Sequence, residues 1–437
     1  MVGRHKNEEE ILKKLGIKEL NSMQIKAHDA ISNNSSVVLL SPTGTGKTLA
    51  FLLPILASIN PDISGIQVLI VVPSRELAIQ IEQVIREMGS GFKANAVYGG
   101  RSGAKDRDEI KHPPTILIGT PGRIADHLRR ESISPAHIKT LVLDEYDKSL
   151  EIGFTDDLQE IISALPFLEK KILTSATQKI KVPSFIGIRD PKHLNFLRNE
   201  SQQLQLNVVV SPKEDKLDTL LQLIYHVGDG NGIIFCNLKD SIHNLSDFLS
   251  DKNIDHTCFY GGLEQIDRER ALIKFRNGSH RLLIATDLAA RGIDIPALDF
   301  IIHFELPPRP DEFVHRNGRT ARMNNEGTAY VIKWAKEELP VFVKNATVLT
   351  LQSSRNKVLK HWETLYISGG RKDKISKGDI AGLFLKQGGL SKDELGVIEL
   401  KQDCSYVSVP YSKAQSLIHE LNNSRLKKKK VRISLLK

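Results

Sequence analysis

A short glycine-rich segment has the residue types and spacing to bind the phosphates of a nucleotide. Residues 41–48 read Ser-Pro-Thr-Gly-Thr-Gly-Lys-Thr and lie between two apolar runs. Glycines between a buried strand and a helix let successive backbone N–H groups point at one anion, and the helix start adds its positive dipole end. The lysine of such a loop reaches the β- and γ-phosphates, and the next threonine offers a hydroxyl to Mg²⁺. The alternative is an ordinary glycine-rich turn. The predicted nucleotide-binding residues of the loop are Ser41, Thr43, Gly44, Thr45, Gly46, Lys47 and Thr48, and Thr48 is also a predicted metal ligand.

Two carboxylates follow another apolar run and could hold the metal ion and activate water. Asp144 and Glu145 come directly after Leu-Val-Leu at residues 141–143. Asp144 is suited to hold Mg²⁺ through its waters, and Glu145 to deprotonate the water that attacks the γ-phosphate. Acidic residues at a strand end also occur as helix caps. Beside the glycine-rich loop, the pair favours nucleotide hydrolysis.

A third group of residues could stabilise the charge that develops on the γ-phosphate. Residues 315–322 read His-Arg-Asn-Gly-Arg-Thr-Ala-Arg. Arg319 and Arg322 are three apart, which predicts one face of a helix. Arginines that face a nucleotide in a cleft contribute roughly 10³–10⁵ in rate where this has been measured. A solvated basic helix face is the alternative.

The apolar runs predict the elements that position these residues. Short β-branched runs alternate with helical patterns in the first half of the chain, as a parallel sheet covered on both faces requires. A second strand-helix series follows, without its own Gly-Lys-Thr, so we expect one nucleotide for two similar sheets. The last 75 residues predict the order βαββαβ. The predicted strands lie at residues 37–40, 68–72, 115–119, 141–143 and 171–173, then at 232–235, 281–284, 300–304 and 328–332.

The predicted domain organisation is α/β with two doubly wound domains and a small α+β domain. Residues 339–362 predict a helical connection before the small domain. The small domain has 15 Lys and Arg against 8 Asp and Glu, about +7 of the chain's net +9. The predicted boundaries are 1–200 for the first domain, 201–211 for a linker, 212–345 for the second domain, 346–362 for a connector and 363–437 for the small domain.

Composition restricts the class of protein and its partners. The 437 residues are 40% hydrophobic and 26% charged, as in ordinary globular proteins of two or three domains. The basic excess favours a polyanionic partner. Three scattered cysteines predict neither a disulfide framework nor a zinc site. The sequence contains neither an apolar signal segment nor a run of roughly 18 apolar residues, so we expect a cytoplasmic protein.

Together, the motifs of residues 16–335 resemble those of the DEAD-box RNA helicases. This resemblance implies two RecA-like domains that close on ATP and single-stranded RNA. It also implies adenine recognition by Gln24, ribose contact by Asp294, and roles for Lys47, Asp144, Glu145, Arg319 and Arg322 in catalysis. The motifs, in family order, are Gln24, the loop at 41–48, residues 73–78, 99–100, 120–123, 144–147, 175–177, Gln265 with Arg268, 285–294 and 315–322.

The resemblance also assigns residues to RNA contact and to coupling. Glycines permit close approach of the backbone, and the other residues supply donors to sugar and phosphate. We expect Ser175 and Thr177 to hydrogen-bond toward Asp147, and His315 to join them in coupling hydrolysis to domain movement. The implied RNA-binding residues are Arg75, Gly99, Gly100, Thr120, Gly122, Arg123, Arg268 and Thr286.

The chain departs from the family pattern at four positions. Tyr146 replaces the alanine that names the family, which places a bulky ring between the sites. Asn7 stands where the family has an aromatic residue upstream of the motif glutamine. Asn317 and Ala321 replace the usual Ile and Gly of the last motif.

The small domain resembles the RNA-binding domain of the DbpA subgroup, a divergent RNA-recognition motif. The resemblance rests on residues 365–374, 378–380, 396–398 and 405–409. In that subgroup the module binds a hairpin of large-subunit ribosomal RNA. Tyr366 and Tyr406 lie on adjacent predicted strands, where they either stack on bases or serve as half-buried packing residues. The run of lysines at residues 427–430 is either part of a basic surface or a solvated tail.

The sequence therefore predicts a monomeric, ATP-dependent RNA helicase that remodels structured RNA, in particular large-subunit ribosomal RNA during ribosome assembly. Pre-ribosomal particles are a further expected partner. An ATP-regulated RNA clamp that does not unwind, or a DNA-translocating helicase, would use many of the same residues. Phosphate release with and without RNA distinguishes the clamp, and competition between single-stranded DNA and RNA distinguishes the DNA helicase.

Overall fold

The computed structural model describes residues 7–42, 44–100, 110–177, 182–197, 204–287, 295, 298–320, 327–343, 346–351 and 360–436. The chain forms two compact units, residues 1–201 with 291–294, and residues 202–290 with 295–437. None of the helices in these described ranges combines the length and the apolar character that crossing a membrane requires.

The described part of the first unit contains a seven-stranded parallel sheet in the order β3-β4-β2-β5-β6-β1-β7. Alternate residues of a strand point to opposite faces. Val37 and Leu39 accordingly pack in one hydrophobic cluster, and Val38 and Leu40 in another. The strands are β1 Ser36–Leu40, β2 Val68–Val71, β3 Ala94–Val97, β4 Ile116–Gly119, β5 Thr140–Leu143, β6 Lys170–Ser175 and β7 Lys192–Asn195. The helices are α1 Glu8–Leu15, α2 Ser22–Asn33, α3 Lys47–Ser58, α4 Arg75–Met88, α5 Pro121–Arg129, α6 Tyr146–Glu151 and α7 Thr155–Ser163.

The second unit begins with a sheet of the same design. Its described strands follow the order β10-β11-β9-β12-β13-β8-β14, which repeats the first sheet strand for strand, and its pairs are also parallel. The strands are β8 Leu204–Ser211, β9 Gly232–Phe235, β10 His256–Phe259, β11 Leu282–Ala285, β12 Phe300–His303, β13 Gly327–Trp334 and β14 Thr347–Val348. The helices are α8 Leu217–Val227, α9 Lys239–Asp251, α10 Gln265–Arg276 and α11 Pro310–Asn317.

The last 75 residues form a small module with an antiparallel sheet in the order β16-β17-β15-β20. Two helices cover one face of this sheet, around a cluster that includes Leu365, Phe384, Val407 and Leu417. The strands are β15 Trp362–Ile367, β16 Ile398–Leu400, β17 Ser405–Pro410, β18 Arg425–Leu426, β19 Lys429–Lys430 and β20 Ile433–Leu435, and the helices are α12 Lys377–Gly382 and α13 Ala414–Leu421. The predicted fold class is confirmed.

The module packs against the second sheet domain within the same unit. Arg276 donates from Nε and Nη2 to the two carboxylate oxygens of Glu399, each at 2.9 Å. Ser408 Oγ donates to the Asn277 carbonyl oxygen at 2.7 Å. These contacts tie the end of α10 to β16 and β17.

Two predictions about connections were wrong. The predicted linker at residues 201–211 includes β8, which pairs with β13 over eight residues and belongs to the second sheet. Gln205 and Asn207 interrupt the apolar residues of β8, so the strand does not read as one continuous apolar run. The predicted helical connection is not helical at residues 346–351, because β14 lies there and pairs with β8.

Candidate nucleotide and nucleic-acid sites

The glycine-rich loop connects β1 to α3 and needs its glycines for two reasons. Gly44 and Gly46 adopt positive φ values of 82° and 85°, which L side chains rarely tolerate. A Cβ atom at Gly46 would also lie 2.4 Å from Gln24 Nε2. Thr48 lies in the first turn of α3. Thr43 lies outside the described residues.

The loop itself holds the ammonium group of Lys47. Lys47 Nζ donates to the carbonyl oxygens of Ser41 at 2.6 Å and Pro42 at 2.8 Å. The hydroxyls of Ser41 and Thr45 lie 2.8 Å apart, and Thr45 Oγ1 also donates to the Pro42 carbonyl oxygen at 2.9 Å. Residues close in sequence thus form one network around the lysine, which is 8% exposed.

Gln24 contacts this loop through a helix-capping arrangement. Asn21 caps α2, since its Oδ1 accepts from Gln24 N–H at 2.9 Å and Gln24 Oε1 accepts from Asn21 N–H at 2.9 Å. Gln24 Nε2 donates to the Gly46 carbonyl oxygen at 3.3 Å, and Asn21 Nδ2 to that of Thr45 at 3.1 Å. The role of Asn21 was missed, although the spacing Asn-x-x-Gln is the signal of a capping box. The contact between Gln24 and adenine stays a prediction.

Asp144 and Glu145 lie at the carboxyl end of β5, and both contact Thr174 on the neighbouring strand β6. Thr174 Oγ1 donates to Asp144 Oδ1 and accepts from Glu145 N–H at 3.3 Å. Asp144 is buried, and this burial raises the pKa of its carboxyl group, while Thr174 and the Lys47 charge act in the opposite direction. The structure therefore brings the predicted catalytic lysine and carboxylate together in one electrostatic environment. Thr174 was missed, because its contact with β5 depends on strand pairing.

Of the coupling contacts predicted for the first unit, the structure contains one and lacks the other. Thr177 Oγ1 donates to Asp147 Oδ2 at 2.8 Å, as expected. The expectation for Ser175 was wrong, since Ser175 Oγ donates to the Thr177 carbonyl oxygen at 2.7 Å and accepts from Thr177 N–H at 2.8 Å. Ser175 closes this turn because it ends β6. Within the described residues, Asp147 Oδ1 has no hydrogen-bond partner.

Tyr146 does not project into open space between the sites. The residue is 3% exposed and belongs to a hydrophobic cluster that includes Leu143 and Leu158. Burial, with a smaller effect of the Asp147 charge, raises the pKa of Tyr146 to about 12. The ring is therefore part of the core beneath the acidic residues.

The RNA-binding residues predicted for the first unit share one edge of its sheet with the nucleotide loop. They follow the carboxyl ends of β2, β3 and β4, which are adjacent strands, whereas the nucleotide residues follow β5, β6 and β1. A Cβ atom at Gly100 would lie 2.4 Å from Arg75 Nη1, so these two residues are in contact. Arg123 lies 3.5 Å from Asp126. The remaining residues at this edge are Gly99, Thr120 and Gly122.

In the second unit, Arg316 is a buried structural residue. Its Nε and Nη2 donate to the carboxylate of Asp287, and its Nη1 donates to the Glu305 carbonyl oxygen at 2.6 Å. Nη2 also donates to Asn237 Oδ1 at 2.7 Å, and the guanidinium lies 4.9 Å from the Phe235 ring centroid. Arg316 thus joins α11 to three strand ends.

The remaining predicted residues of this sheet domain lie on its helices or directly after an element. His315 lies on α11, and Arg319 follows it and is 7% exposed. The prediction that Arg319 lies on a helix face was wrong, because α11 ends at Asn317. Thr286 follows β11, and the Arg268 guanidinium on α10 lies 4.8 Å from the Phe259 ring centroid. Asp294 and Arg322 lie outside the described residues.

Tyr366 and Tyr406 face each other across β15 and β17, with ring centroids 5.9 Å apart. Both are half-buried, and the Cys404 thiol donates to the Tyr406 hydroxyl at 3.5 Å. Burial is the main reason that the pKa of Tyr406 is raised. Side chains two residues apart on a strand point to the same face of the sheet, so Thr364 and Ser408 share the face of the two tyrosines. Both residues contact the second sheet domain. Base stacking by the tyrosines stays a prediction.

The described residues contain no group of three or more His, Cys, Asp or Glu side chains arranged to hold a metal ion. Mg²⁺ usually keeps several waters and binds through one or two carboxylates plus substrate phosphates. The pair Thr48 and Asp144 beside the glycine-rich loop fits this mode of binding.

Comparisons with known proteins agree with this architecture. The family model described as DEAD/DEAH box helicase matches residues 21–185, that of the helicase conserved C-terminal domain matches residues 215–324, and that of the DbpA RNA binding domain matches residues 364–435. The chain is similar to the "ATP-dependent RNA helicase DbpA" of Bacillus subtilis, with 30% identity across 97% of this chain and 96% of that protein. It is also similar to the protein of the same name from Escherichia coli, with 31% identity across 98% and 96%.

One solved structure is also similar to most of this chain. The chain is similar to Saccharomyces cerevisiae Dbp5 bound to RNA and ADP BeF3, with a TM-score of 0.67 and 27% identity across 76% of this chain and 88% of that chain.

Proposed function

Because this chain belongs to the DEAD-box ATP-dependent RNA helicases of the DbpA type, we propose that it remodels large-subunit ribosomal RNA during ribosome assembly. The observation that supports this RNA target is the basic C-terminal module, which matches the DbpA RNA-binding domain over residues 364–435. We also propose that the protein is a monomer and that it acts on pre-ribosomal particles in the cytoplasm.

We propose that ATP binds at the loop between β1 and α3. The Lys47 ammonium already lies on the loop carbonyls and would exchange these contacts for phosphate oxygens. Gln24 lies against the same loop, where its amide can both donate to and accept from the adenine edge. Asp294 is proposed to contact the ribose.

Thr48 and Asp144 are proposed to hold Mg²⁺. When bound, the ion neutralises phosphate charge that develops during transfer. Asp144 is buried and accepts a hydrogen bond from Thr174, so its carboxylate is fixed before substrate arrives. Glu145 is proposed to accept a proton from the attacking water. Arg319 and Arg322 are proposed to stabilise the transferred phosphoryl group.

RNA contact is proposed along the strand ends of both sheets. In the first domain, Arg75 and Gly100 touch each other at an edge that exposes backbone and guanidinium groups together. Such groups bind sugar and phosphate without reading sequence. Arg268 and Thr286 are proposed to do the same in the second domain. Asp147, Thr177, Ser175 and His315 are proposed to couple hydrolysis to domain movement.

Delivery to ribosomal RNA is proposed to depend on the lysines of the β18–β19 hairpin. Lys427 and Lys429 form ion pairs with Asp379 at 2.9 Å and Asp373 at 2.8 Å. Lys428 and Lys430 lie on the same hairpin and are exposed. These two lysines are suited to neutralise phosphates without disturbing the module.

The test is the variant Lys428→Gln/Lys430→Gln of the full chain. We expect weaker binding to a large-subunit ribosomal RNA hairpin and a salt slope of log K that is smaller by about 1–2, because each lost phosphate contact removes close to one unit. Fluorescence anisotropy at several salt concentrations measures both. Lys377→Gln/Lys392→Gln, two exposed lysines of the same module, is the matched control. Equal affinity and slope in the two variants would remove the hairpin from RNA delivery.

A further inference from the structure

A cavity of about 450 Å³ lies where the C-terminal module packs on the second sheet domain. Its volume falls within the ~300–1,000 Å³ range of small-molecule sites. One wall comes from the segment that follows α10, with Asn277 and Arg281, and the other from the module, with Trp362 and Val397. The cavity therefore exists only while the module and the domain are in contact.

Arg281 carries a hydrogen-bonding edge that is not used within the described residues. The residue is 8% exposed, and its Nη1 donates to the Gly228 carbonyl oxygen and lies 3.8 Å from Asp229 Oδ1. Its Nε and Nη2 are buried and have no partner in the described part of the chain. Arg276 uses the same two nitrogens to bind both oxygens of Glu399. The unused edge of Arg281 is therefore matched to a group with two adjacent acceptors.

Asn277 lies on the same wall of the cavity, and both the donor and the acceptor of its side-chain amide are unpaired within the described residues. The residue is 4% exposed, and its backbone carbonyl oxygen is occupied by Ser408. Neither Oδ1 nor Nδ2 has a hydrogen-bond partner among the residues that the structure describes. Burying such groups without partners is unfavourable. A ligand edge that both donates and accepts would satisfy this amide.

The third recognition element is the indole ring of Trp362. A Cβ atom at Gly278 would lie 3.4 Å from Trp362 Cδ1, and one at Gly396 would lie 3.1 Å from Cζ3, so both glycines contact the ring, which is half-buried and lines the cavity. An indole ring offers a flat surface on which a nucleobase can stack.

The charges around the cavity disfavour a ligand recognised only as an anion. Asp229 and Asp255 line it, and their side chains are 54% and 47% exposed. Two further cations in the lining are already paired, Lys360 within 3.0 Å of Glu363 and 3.7 Å of Asp255, and Arg276 with Glu399 at 2.9 Å. Arg281 is therefore better matched to uncharged acceptors than to a free phosphate.

We propose that this cavity binds the base of a guanine nucleotide. Between the purines, only guanine has two adjacent acceptors, O6 and N7, for the Arg281 edge, and arginine binds this pair in bidentate fashion. Its N1–H and 2-amino groups are donors for Asn277 Oδ1, its O6 has a second lone pair for Asn277 Nδ2, and its ring stacks on Trp362. Because the nitrogens of Arg281 and the amide of Asn277 are shielded from solvent, binding requires both side chains to rotate toward the cavity. The base belongs either to a guanosine of bound RNA, which rests on the proposed function, or to a free guanine nucleotide.

The test is calorimetric titration of the full-length protein in saturating ADP, which occupies the ATP site. The ligands are GMP, 7-deaza-GMP, AMP and CMP. We expect GMP to bind with a stoichiometry of one and 7-deaza-GMP, which lacks the N7 acceptor, to bind about tenfold more weakly. AMP and CMP should bind at least as weakly as 7-deaza-GMP. Equal affinity for GMP and 7-deaza-GMP, or absence of GMP binding, overturns the proposal.

Matched variants separate the cavity from the rest of the domain. Arg281→Lys keeps the charge but removes the bidentate edge, so it should weaken GMP binding about tenfold. Arg270→Lys, an arginine of α10 outside the cavity lining, should leave it unchanged. Val397→Trp fills the rim from a position that is 49% exposed and should abolish GMP binding, whereas Val348→Trp, at 68% exposure on β14, should leave it unchanged. GMP binding that survives both Arg281→Lys and Val397→Trp contradicts the assignment, and thermal melting of each variant verifies folding.

The two sources of the base are distinguished by competition. A single-stranded RNA that contains guanosine displaces GMP if the site takes RNA, and its 7-deazaguanosine version then displaces it less. Without displacement, the ligand is a free guanine nucleotide. RNA-stimulated phosphate release, measured on the same samples, tests the proposed function separately. A variant that loses GMP binding can still release phosphate, and a protein that binds GMP can lack RNA-stimulated release.

Discussion

Glu145 adopts a left-handed backbone conformation, with φ 52°, at the point where β5 becomes α6. A residue other than glycine in this region costs about 1–3 kcal/mol unless its surroundings maintain it. Thr174 supplies one such contact, since its hydroxyl accepts the Glu145 N–H. The turn that presents the proposed base is therefore stabilised by the neighbouring strand, and the strain lies at the residue with the proposed chemical role.

We predict that Glu145→Gln lowers the rate of RNA-stimulated ATP hydrolysis by about 10²–10⁴, the usual contribution of a general base. The amide is close in size to the carboxylate but cannot accept the proton, so affinities for ATP and RNA should stay near those of the parent protein. Single-turnover phosphate release and equilibrium binding measure the two effects. Glu160→Gln, in a solvent-exposed ion pair with Arg129, is the control and should hydrolyse at the parent rate. Turnover by Glu145→Gln at the control's rate would exclude Glu145 as the base.

At the scale of elements, the apolar pattern predicted the central strands and missed the edges. β3, β7, β10 and β14 are the outermost strands of the two sheets, and none of them was predicted. An edge strand has one neighbour and an exposed side, so its side chains need not be apolar. β7, for example, reads Lys-His-Leu-Asn and is mostly exposed. β8, which lies between β13 and β14, was also missed, because Gln205 and Asn207 interrupt its apolar residues.

The sequence predicted the site residues that belong to contiguous motifs and missed those that reach the site from elsewhere in the chain. Asn21 and Thr174 hold the loop and the acidic pair, yet they lie 24 and 29 residues from the groups that they contact. The motif at residues 315–322 did not indicate the role of Arg316, because its partners Asp287, Glu305 and Asn237 come from separate strand ends. Contacts of this kind depend on strand order, which the spacing of motifs does not specify.

Asn317 illustrates how a departure from the family pattern is accommodated between two elements. Its Oδ1 lies 2.9 Å from Nε2 of His303, the last residue of β12. His303 is fully buried, and its ring is stacked on Phe313 with centroids 4.6 Å apart. Burial, assisted by the Arg316 charge, lowers the pKa of His303 to about 3, while Asn317 and Asp287 act in the opposite direction. Burial therefore keeps the imidazole neutral, and the pair joins α11 to β12 with the Nε2–H of His303 as the donor to Asn317 Oδ1.

This burial predicts a loss of stability in acid. His303 stays neutral in the folded protein but binds a proton in the unfolded chain below about pH 6.5, so the unfolding free energy falls as pH decreases from 6.5 toward 3. We expect His303→Gln, which can still donate to Asn317, to reduce the fall between pH 7 and 5 by about 1–2 kcal/mol. Both tryptophans, Trp334 and Trp362, lie in the second unit, so denaturant unfolding followed by their fluorescence reports this unit.

The control for this prediction is His419→Gln, on the solvent-facing side of α13 and outside the hydrophobic cluster of the module. Its pH dependence should match that of the parent protein. If His303→Gln has the same pH dependence as His419→Gln, the buried imidazole is not the group responsible.

At the scale of the whole molecule, the two sheets have the same strand order, and β1 in the first sheet corresponds to β8 in the second. The segments that connect these two strands to the next helix differ. β1 leads into the glycine-rich loop, whereas β8 leads into Pro-Lys-Glu-Asp-Lys before α8. The second segment lacks the glycines that aim backbone N–H groups at phosphate. This difference supports the proposal that ATP binds at the first connection and not at the second.

The C-terminal module and the second sheet domain form one compact unit, and the ion pair of Arg276 with Glu399 lies at their junction. The side chains are 25% and 17% exposed and meet through two parallel hydrogen bonds of 2.9 Å. Paired geometry with partial burial makes such contacts stronger than ordinary surface pairs, which contribute about 0–1 kcal/mol. We therefore expect this ion pair to stabilise the junction between the module and the domain.

We predict a coupling energy of about 1–2 kcal/mol between Arg276→Gln and Glu399→Gln in a double-mutant cycle. Each single change leaves one charged partner partly buried, and the double change removes both, so the two effects should not add. Denaturant unfolding followed by tryptophan fluorescence gives the four free energies. Lys213 and Asp218 form an equally close ion pair in the same unit, but their side chains are 64% and 60% exposed, so their cycle should give a coupling near zero. Indistinguishable coupling energies in the two cycles would mean that the Arg276–Glu399 contact does not stabilise the junction.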